Sequence, residues 1–406
     1  MLYLKLAWRN IWRNKRRTLI TMASVVMAVL LSSVMSSMQQ GQYDQMIDNT
    51  VGSFSGHLQV QHPEYFEEST LDNSLEINEE LISKLNDHPK IQHVIPRIDS
   101  YALAAGDVRS KAAMVIGIDV ENATHLSEPD KKIVEGNYFK SSSEDGVLIA
   151  EGLGESLSIG VGDTLVLLGQ GFRGMSAAAA YPVTGVMKFG LPQMNNNMVY
   201  LPMGSARDFY AAYDRVTSIV LLLYNPKEVH TVVRELKAEF GEEYAVLGWQ
   251  TLVPELVQAI EADRGSALIL LLILYMIVGF GIFGTILMMT AERKFEFGVM
   301  IAIGTGRMRM AIMLILEMVF ITFMGTALGM LFSLPVMYYF NFNPLEFSGE
   351  AALAIEEYGM EPFVQFSTDP AILIQQGTII LIITLIIGLY PLLHMRKLKP
   401  VEAMRH

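Results

Sequence analysis

The chain has 406 residues, 51% of them hydrophobic, and a mean hydropathy of +0.33, which excludes an ordinary soluble globular protein of this size. Its formal net charge of −12 argues against a nucleic-acid partner. Cysteine is absent, which excludes disulfides, thiolate metal sites and an acylated cysteine on this chain.

Residues 1–17 hold Lys5, Arg9, Arg13, Lys15, Arg16 and Arg17 and no acid. Thr18–Met38 then runs 21 residues without a charge. As a helix that is about 31 Å, enough to cross a hydrocarbon core. The run is too long for the apolar part of a secretory signal and no A-x-A site follows, so it reads as an uncleaved anchor.

Residues 39–265 carry 32 acids against 16 bases, so the negative charge belongs to this segment. It serves solubility, or it repels anionic lipid and attracts a basic partner. The segment reads as an α+β domain, large enough to bury a core as one body or two lobes. Gly56–Gln61, Lys111–Asp119, Asp163–Gly169, "YPVTGV", "NMVYLP" and "VTSIVLLLY" read as strands. Asn78–Asp87 begins with an Asn cap and two glutamates and reads as a short helix. Pro226–Phe240 has proline at N1 and apolar residues at Val229, Val232, Val233, Leu236 and Phe240, an amphipathic helix. Gly169–Pro182, "GQGFRGMSAAAAYP", is either a floppy hairpin tip or a protruding hook that offers Phe172, Arg173 and Met175 to a partner. Phe189–Met198 reads as a polar turn with the same two meanings.

A helix is expected from Leu252 through Glu261 into the second apolar run, Ser266–Thr290, joining the domain rigidly to the membrane. Between that run and the third lies a charged, glycine-containing stretch. Within it Phe295, Val299 and Ile303 are spaced i, i+4, i+8 and share one helix face. Glu292, Arg293 and Glu296 lie elsewhere on its surface. Gly304 and Gly306 are expected to end the helix in left-handed conformations. Such a helix either lies on a membrane surface or fits a groove on a cytoplasmic partner.

The third run, Met310–Phe340, has one charge, Glu317. A charge at mid-membrane costs roughly 2.5–3.5 kcal/mol. About two turns into the helix, Glu317 is expected to lessen that by reaching toward the interface. It makes either a packing hydrogen bond or a coupling contact. Gly325 and Gly329 form G-x-x-x-G, which lets another helix approach and is expected at a dimer seam. Residues 341–370 have six acids and no base, and Ala371–Leu393 is a fourth uncharged run. Arg396, Lys397, Lys399 and Arg405 follow it. By the positive-inside rule both termini and the 291–309 loop are cytoplasmic, and 39–265 and 341–370 lie outside.

No phosphate-binding Gly-x-x-x-x-Gly-Lys-[Ser/Thr] loop occurs, nor H-E-x-x-H, nor Gly-x-Ser-x-Gly. His57/His62 and His88/His93 are each five apart, which suits neither one helix face nor one strand face, so a structural role is expected. Glu79 and Glu80 suit a helix N-terminus better than an acid/base pair. No catalytic residue, metal or cofactor is expected on this chain.

The run "ERKFEFGVMIAIGTGRMRM…LILEMVF…MGTALGM", with "LAWRNIWRNKRRT" at the start and "RKLKPVEAMR" at the end, resembles the MacB/FtsX-like ABC transporter permease family along the whole chain. The resemblance implies four transmembrane helices in a bacterial inner membrane, with a periplasmic domain between helices 1 and 2. It implies two paired permeases, identical or homologous, each docked to a separate ATPase that holds ATP and Mg. Glu292, Arg293, Phe295, Glu296, Gly298, Val299, Ala302, Ile303, Gly304 and Gly306 fall in the matching coupling segment. Length and layout are closest to the lipoprotein-releasing permeases of LolC/LolE type. That branch implies lipoprotein as cargo and a periplasmic carrier recruited by a hairpin hook. Gly169–Pro182 lies at a similar place without reproducing the hook sequence. Acyl chains are then expected near Val34, Met35, Met38, Ala267, Leu268 and Leu271. Two other branches are a MacB-like efflux subunit working with an adaptor on peptides or small amphiphiles, and an FtsX-like regulator of a cell-wall hydrolase.

Overall fold

The computed structural model describes residues 8, 9, 11–13, 15–126, 132–142, 144–189, 192–292, 294–350, 352, 355 and 362–397. Arg293, Lys5, Glu356, Glu357, Glu361 and the tail beyond residue 397 lie outside the described residues. The chain forms two compact bodies. One comprises Met1–Asp44, Ile260–Glu346 and Phe363–His406; the other comprises Gln45–Ala259 and Phe347–Pro362.

The four uncharged runs lie in four long helices, Lys15–Thr50, Pro254–Glu292, Arg307–Phe342 and Pro370–Lys397. Each is long and apolar enough to span a bilayer. The second helix does not begin at Leu252 as expected. The short helix Trp249–Leu252 ends at Val253, whose φ of −129° and ψ of 66° are not helical. A residue before proline is pushed out of the α region, and Pro254 then serves as a helix start.

Val25, Ala28 and Val29 of the first helix pack with Ile282 and Ile286 of the second, Met318 of the third and Ile380 of the fourth. The two glycines expected at a dimer seam are occupied inside the chain. A Cβ on Gly325 would stand 2.9 Å from the Val25 side chain, and one on Gly329 would stand 2.7 Å from Val29 Cβ. The contacts climb together at four-residue steps, so the first and third helices run parallel and nearly touch backbones. Polar groups tie the other helices: Gln376 Nε2 donates to Ser36 Oγ at 3.0 Å, and the Tyr275 hydroxyl donates to Gln376 Oε1. In hydrocarbon such interhelical bonds leave few polar groups unsatisfied.

The other body is built on a mixed sheet of ten strands among the described residues. Six of them close on themselves. Ile91–Ala105 pairs with Ser110–Ile118, which pairs with Met198–Pro202, then Val147–Ala150, then Ser176–Met187, then Thr164–Gln170, which returns to Ile91–Ala105. Closure removes exposed sheet edges. The first half of Ile91–Ala105 also pairs with Ser218–Leu223, which continues through Leu58–Gln61 to Ala245–Gly248. One 15-residue strand therefore serves both parts, and a single buried cluster runs from Leu58 to Val246 rather than two separate lobes.

The expected helices form. Asn78 caps Glu79–Asn86, its Oδ1 accepting from the Glu80 amide at 2.9 Å. Val229–Phe240 buries Val229, Val232 and Leu236 against the sheet. The described residues of Phe189–Met198 do not form a polar turn. Pro192–Asn197 is helical, and Phe189 and Met194 are buried, so its apolar residues anchor it.

Candidate functional site

The coupling segment forms a short helix, Lys294–Ala302. Its end is closed by two backbone bonds, Thr305 N to Met300 O at 2.9 Å and Gly304 N to Ile301 O at 3.0 Å. This reciprocal pair requires a left-handed residue, and Gly304 supplies it at φ +101°. Gly306 does not share that role. At φ −64° and ψ 134° it is extended and caps the start of the third helix.

The helix carries two apolar faces rather than one. Met300 and Ile301 pack on Met310, Ala311 and Leu314 of the third helix, and Gly298 is buried. Phe295 and Ile303 stay 53% and 79% exposed, Val299 is half-buried beside them, and Ala302 is exposed. The i, i+4, i+8 face thus remains unfilled by the chain itself. Glu296 receives two 2.7 Å bonds from one guanidinium nitrogen of Arg13. Both partners are solvent-exposed, so the pair is worth about 0–1 kcal/mol and orients more than it stabilises. Glu292 is exposed and engaged elsewhere in the chain.

Sequence reasoning used the basic N-terminal segment for its charge and for the family resemblance and missed this contact. The segment is also packed: Trp8 meets Trp12 and Phe320 edge-on, and Ile11 is buried. The apolar Trp8, Ile11 and Trp12 among the bases were the available signal.

Glu317 is enclosed within the protein. It is 0% exposed and has a partner within the chain. Enclosure by neighbouring helices is how a span keeps an ionisable group out of lipid. Of the residues expected near acyl chains, Leu268 is 59% exposed, and Val34, Met35, Met38 and Leu271 are half-buried. Ala267 is buried and offers no outward face. Leu270, Met276, Ile277 and Phe280 extend the exposed apolar surface of the second helix.

The Gly169–Pro182 stretch is mostly strand. Pairing runs from Thr164↔Pro182 to Gln170↔Ser176, leaving a five-residue tip. That tip is tied down rather than protruding freely. The Phe172 ring lies under two guanidiniums, Arg215 at 4.6 Å and Arg173 at 5.1 Å. The Arg173 amide donates to Asp72 Oδ1 at 2.6 Å, and Arg173 itself is left-handed at φ 54°. Only Met175, 58% exposed, presents an apolar group outward.

The paired histidines serve the fold. His57 Nδ1 accepts from the Leu223 amide at 2.9 Å, His62 Nδ1 from Glu64 N, and His88 Nδ1 from Lys90 N. His93 stacks on His125 with centroids 4.0 Å apart. Burial pushes the His57 and His93 imidazoles below their ordinary range, and His125 lowers His93 further. Inside the domain, a buried pair was not foreseen. Arg97 Nε lies 2.7 Å from Asp99 Oδ1, and Arg97 Nη1 donates to Phe54 O at 2.6 Å. Asp99 also accepts from Ser218 Oγ at 3.2 Å.

Residues 18–239 match the family described as "MacB-like periplasmic core domain", and residues 268–400 match "FtsX-like permease C-terminal". The chain belongs to this MacB/FtsX-like family of ABC transporter permeases, which are multi-pass inner-membrane subunits without catalytic activity of their own. Over 403 residues it is 19% identical to the lipoprotein-releasing system transmembrane protein LolC of Neisseria meningitidis serogroup B, covering 96% of this chain and 94% of that one. It is 20% identical over 232 residues to the corresponding LolE of Haemophilus influenzae, covering 56% of each, so this match spans about half the relative's length. The periplasmic region of MacB from Actinobacillus actinomycetemcomitans is 17% identical, with a TM-score of 0.35, covering 53% of this chain and 97% of that one.

Proposed function

We propose that this chain is the permease subunit of a lipoprotein-releasing ABC system. It takes lipoproteins from the outer leaflet of the inner membrane, using ATP hydrolysed with Mg on a separate cytoplasmic ATPase, and works beside a second permease. The observation that carries this reading is the end-to-end alignment with a LolC protein, through both the domain and the spans. The helix Lys294–Ala302 supports it. Its open Phe295–Ile303 face has the apolar spacing of a helix that lies in a partner's groove. Movement of that helix would pass to the third helix through Met300 and Ile301. It would pass to the first through the intimate Gly325/Val25 and Gly329/Val29 contact. The exposed apolar surface around Leu268 is where acyl chains would meet the permease.

A second reading has its own support, because the family matched by residues 18–239 is the MacB-like core. In it the same motion drives an efflux adaptor. Purification from native membranes in mild detergent separates the two. An ATPase, a second permease and bound lipoprotein are expected. An adaptor with an outer-membrane channel in place of lipoprotein would favour the second reading. Phe295→Asp with Ile303→Asp should release the ATPase while the chain stays folded. Normal ATPase recovery would remove the docking role of this helix. Gly298→Arg is the poorer test, since Gly298 is buried and its substitution disturbs folding as well.

A further inference from the structure

The acidic domain holds a cleft of about 510 Å3, separate from the hairpin tip and the coupling helix. That volume falls within the range of small-molecule sites, roughly 300–1,000 Å3. Its apolar wall is formed by Ile77, Ile82, Pro96 and Met203. Ile82 comes from the helix Glu79–Asn86, Pro96 from the strand Ile91–Ala105, and Met203 from the start of the helix Met203–Tyr210.

Arg207, in the last turn of that latter helix, is the only base among the described lining residues. Among the described residues its side chain has no hydrogen-bond or ion-pair partner, and its Nε is shut off from solvent without an acceptor. Among the described residues the guanidinium therefore lacks an acceptor. The two acids on the wall do not supply one. Asp119 is taken up by its own turn, accepting from Glu121 N at 3.0 Å, Asn122 N at 3.4 Å and Asn122 Nδ2 at 3.2 Å. Glu79 is exposed at the first turn of its helix.

We propose that this cleft binds a small amphiphilic monocarboxylate. Its apolar part lies against Ile77, Ile82, Pro96 and Met203, and its carboxylate is received by the two terminal nitrogens of the Arg207 guanidinium. The planar guanidinium fork matches a carboxylate in geometry as well as charge. Asp119 and Glu79 set the charge limit, because two nearby acids repel a multiply charged anion more strongly than a singly charged one. This site is independent of the transport reading.

The test uses the full chain in nanodiscs with 4-(4-fluorophenyl)butyrate as probe, followed by fluorine NMR line broadening. The uncharged amide of the same probe and inorganic phosphate are the controls. The carboxylate should bind about tenfold more tightly than the amide, the increment of one charge-assisted hydrogen bond, and phosphate should not compete. Arg207→Met should erase the difference and leave amide binding in place. Ser83→Trp, an exposed position on the rim, should block both organic probes without touching Arg207. Equal binding of acid and amide to the folded wild-type chain would overturn the assignment. So would a preference that survives in Arg207→Met, binding that survives Ser83→Trp, or no binding of either probe.

Discussion

Gly329 and Val29 lie so close that a single added methyl on the glycine would stand 2.7 Å from the valine Cβ. The backbones of the first and third helices meet there, and the same relation recurs one turn earlier at Gly325 and Val25. Close backbone approach of this kind gives dispersion contact where lipid offers no hydrophobic drive. Gly329→Ala should destabilise the chain by roughly 1–3 kcal/mol through overpacking. The reciprocal swap, Gly329→Val with Val29→Gly, should recover part of that. Both are measured by denaturation in detergent. Equal stability of Gly329→Ala and wild type would show that the contact is loose.

The Arg97–Asp99 pair makes a second prediction. Both residues are less than a tenth exposed, so neither charge is well hydrated once its partner is gone. Breaking a buried pair costs about 3–5 kcal/mol, whereas replacing both partners by apolar groups is often near neutral. Arg97→Met alone should therefore destabilise the domain far more than Arg97→Met with Asp99→Leu. Pulse proteolysis of the full chain compares them. A double variant as unstable as the single one would contradict this.

The spans, the domain inserted between the first two, and six of the ten described strands of the main sheet were legible from their apolar patterns, whereas the short strands Ile133–Gly136, Val147–Ala150 and Ala245–Gly248 were not. Ile91–Ala105 was not recognised as a strand, although it serves both parts of the sheet. Pro96, Arg97 and Asp99 break its alternation, and only tertiary contacts make those residues acceptable inside a core. The coupling helix was legible from the spacing of Phe295, Val299 and Ile303. Its second apolar face and the Arg13–Glu296 pair were not, since they depend on residues far apart in sequence. Which helix approaches Gly325 and Gly329 was not legible for a related reason. G-x-x-x-G announces a close helix neighbour without saying whether it belongs to the same chain.

The imidazoles predict a pH dependence. His57 and His93 sit below the ordinary value of 6.5 in the fold, so the unfolded chain binds protons more readily. Their contribution to stability is fully present above 6.5 and is lost as pH falls from there through the lower folded values. Protonating His57 Nδ1 also removes the acceptor of the Leu223 amide. Hydrogen exchange at Leu223, corrected for intrinsic rate, should quicken as the medium becomes mildly acidic. His57→Gln, which cannot protonate, should flatten that response. An unchanged pH profile in the variant would assign the effect elsewhere.

At the hairpin tip, Phe172 and Met175 should separate. Phe172→Ala removes a ring held by two guanidiniums and should cost about 1–2 kcal/mol of domain stability. Met175→Ala should leave stability unchanged and lower crosslinking to any periplasmic partner that docks there. If both variants crosslink normally, the tip is not a docking element.

A chain that crosses the bilayer four times with its basic segments inside puts the acidic domain and the Phe295–Ile303 face on opposite sides of the membrane. The natural chain lacks cysteine, so single cysteines report without background. Val108→Cys, at a position 90% exposed in the domain, and Ile303→Cys, at one 79% exposed beside the coupling helix, are the two reporters. With a membrane-impermeant maleimide on spheroplasts, the cysteine at 108 should label at once and the cysteine at 303 only after the membrane is opened. Labelling of both under the same condition would rule out this topology.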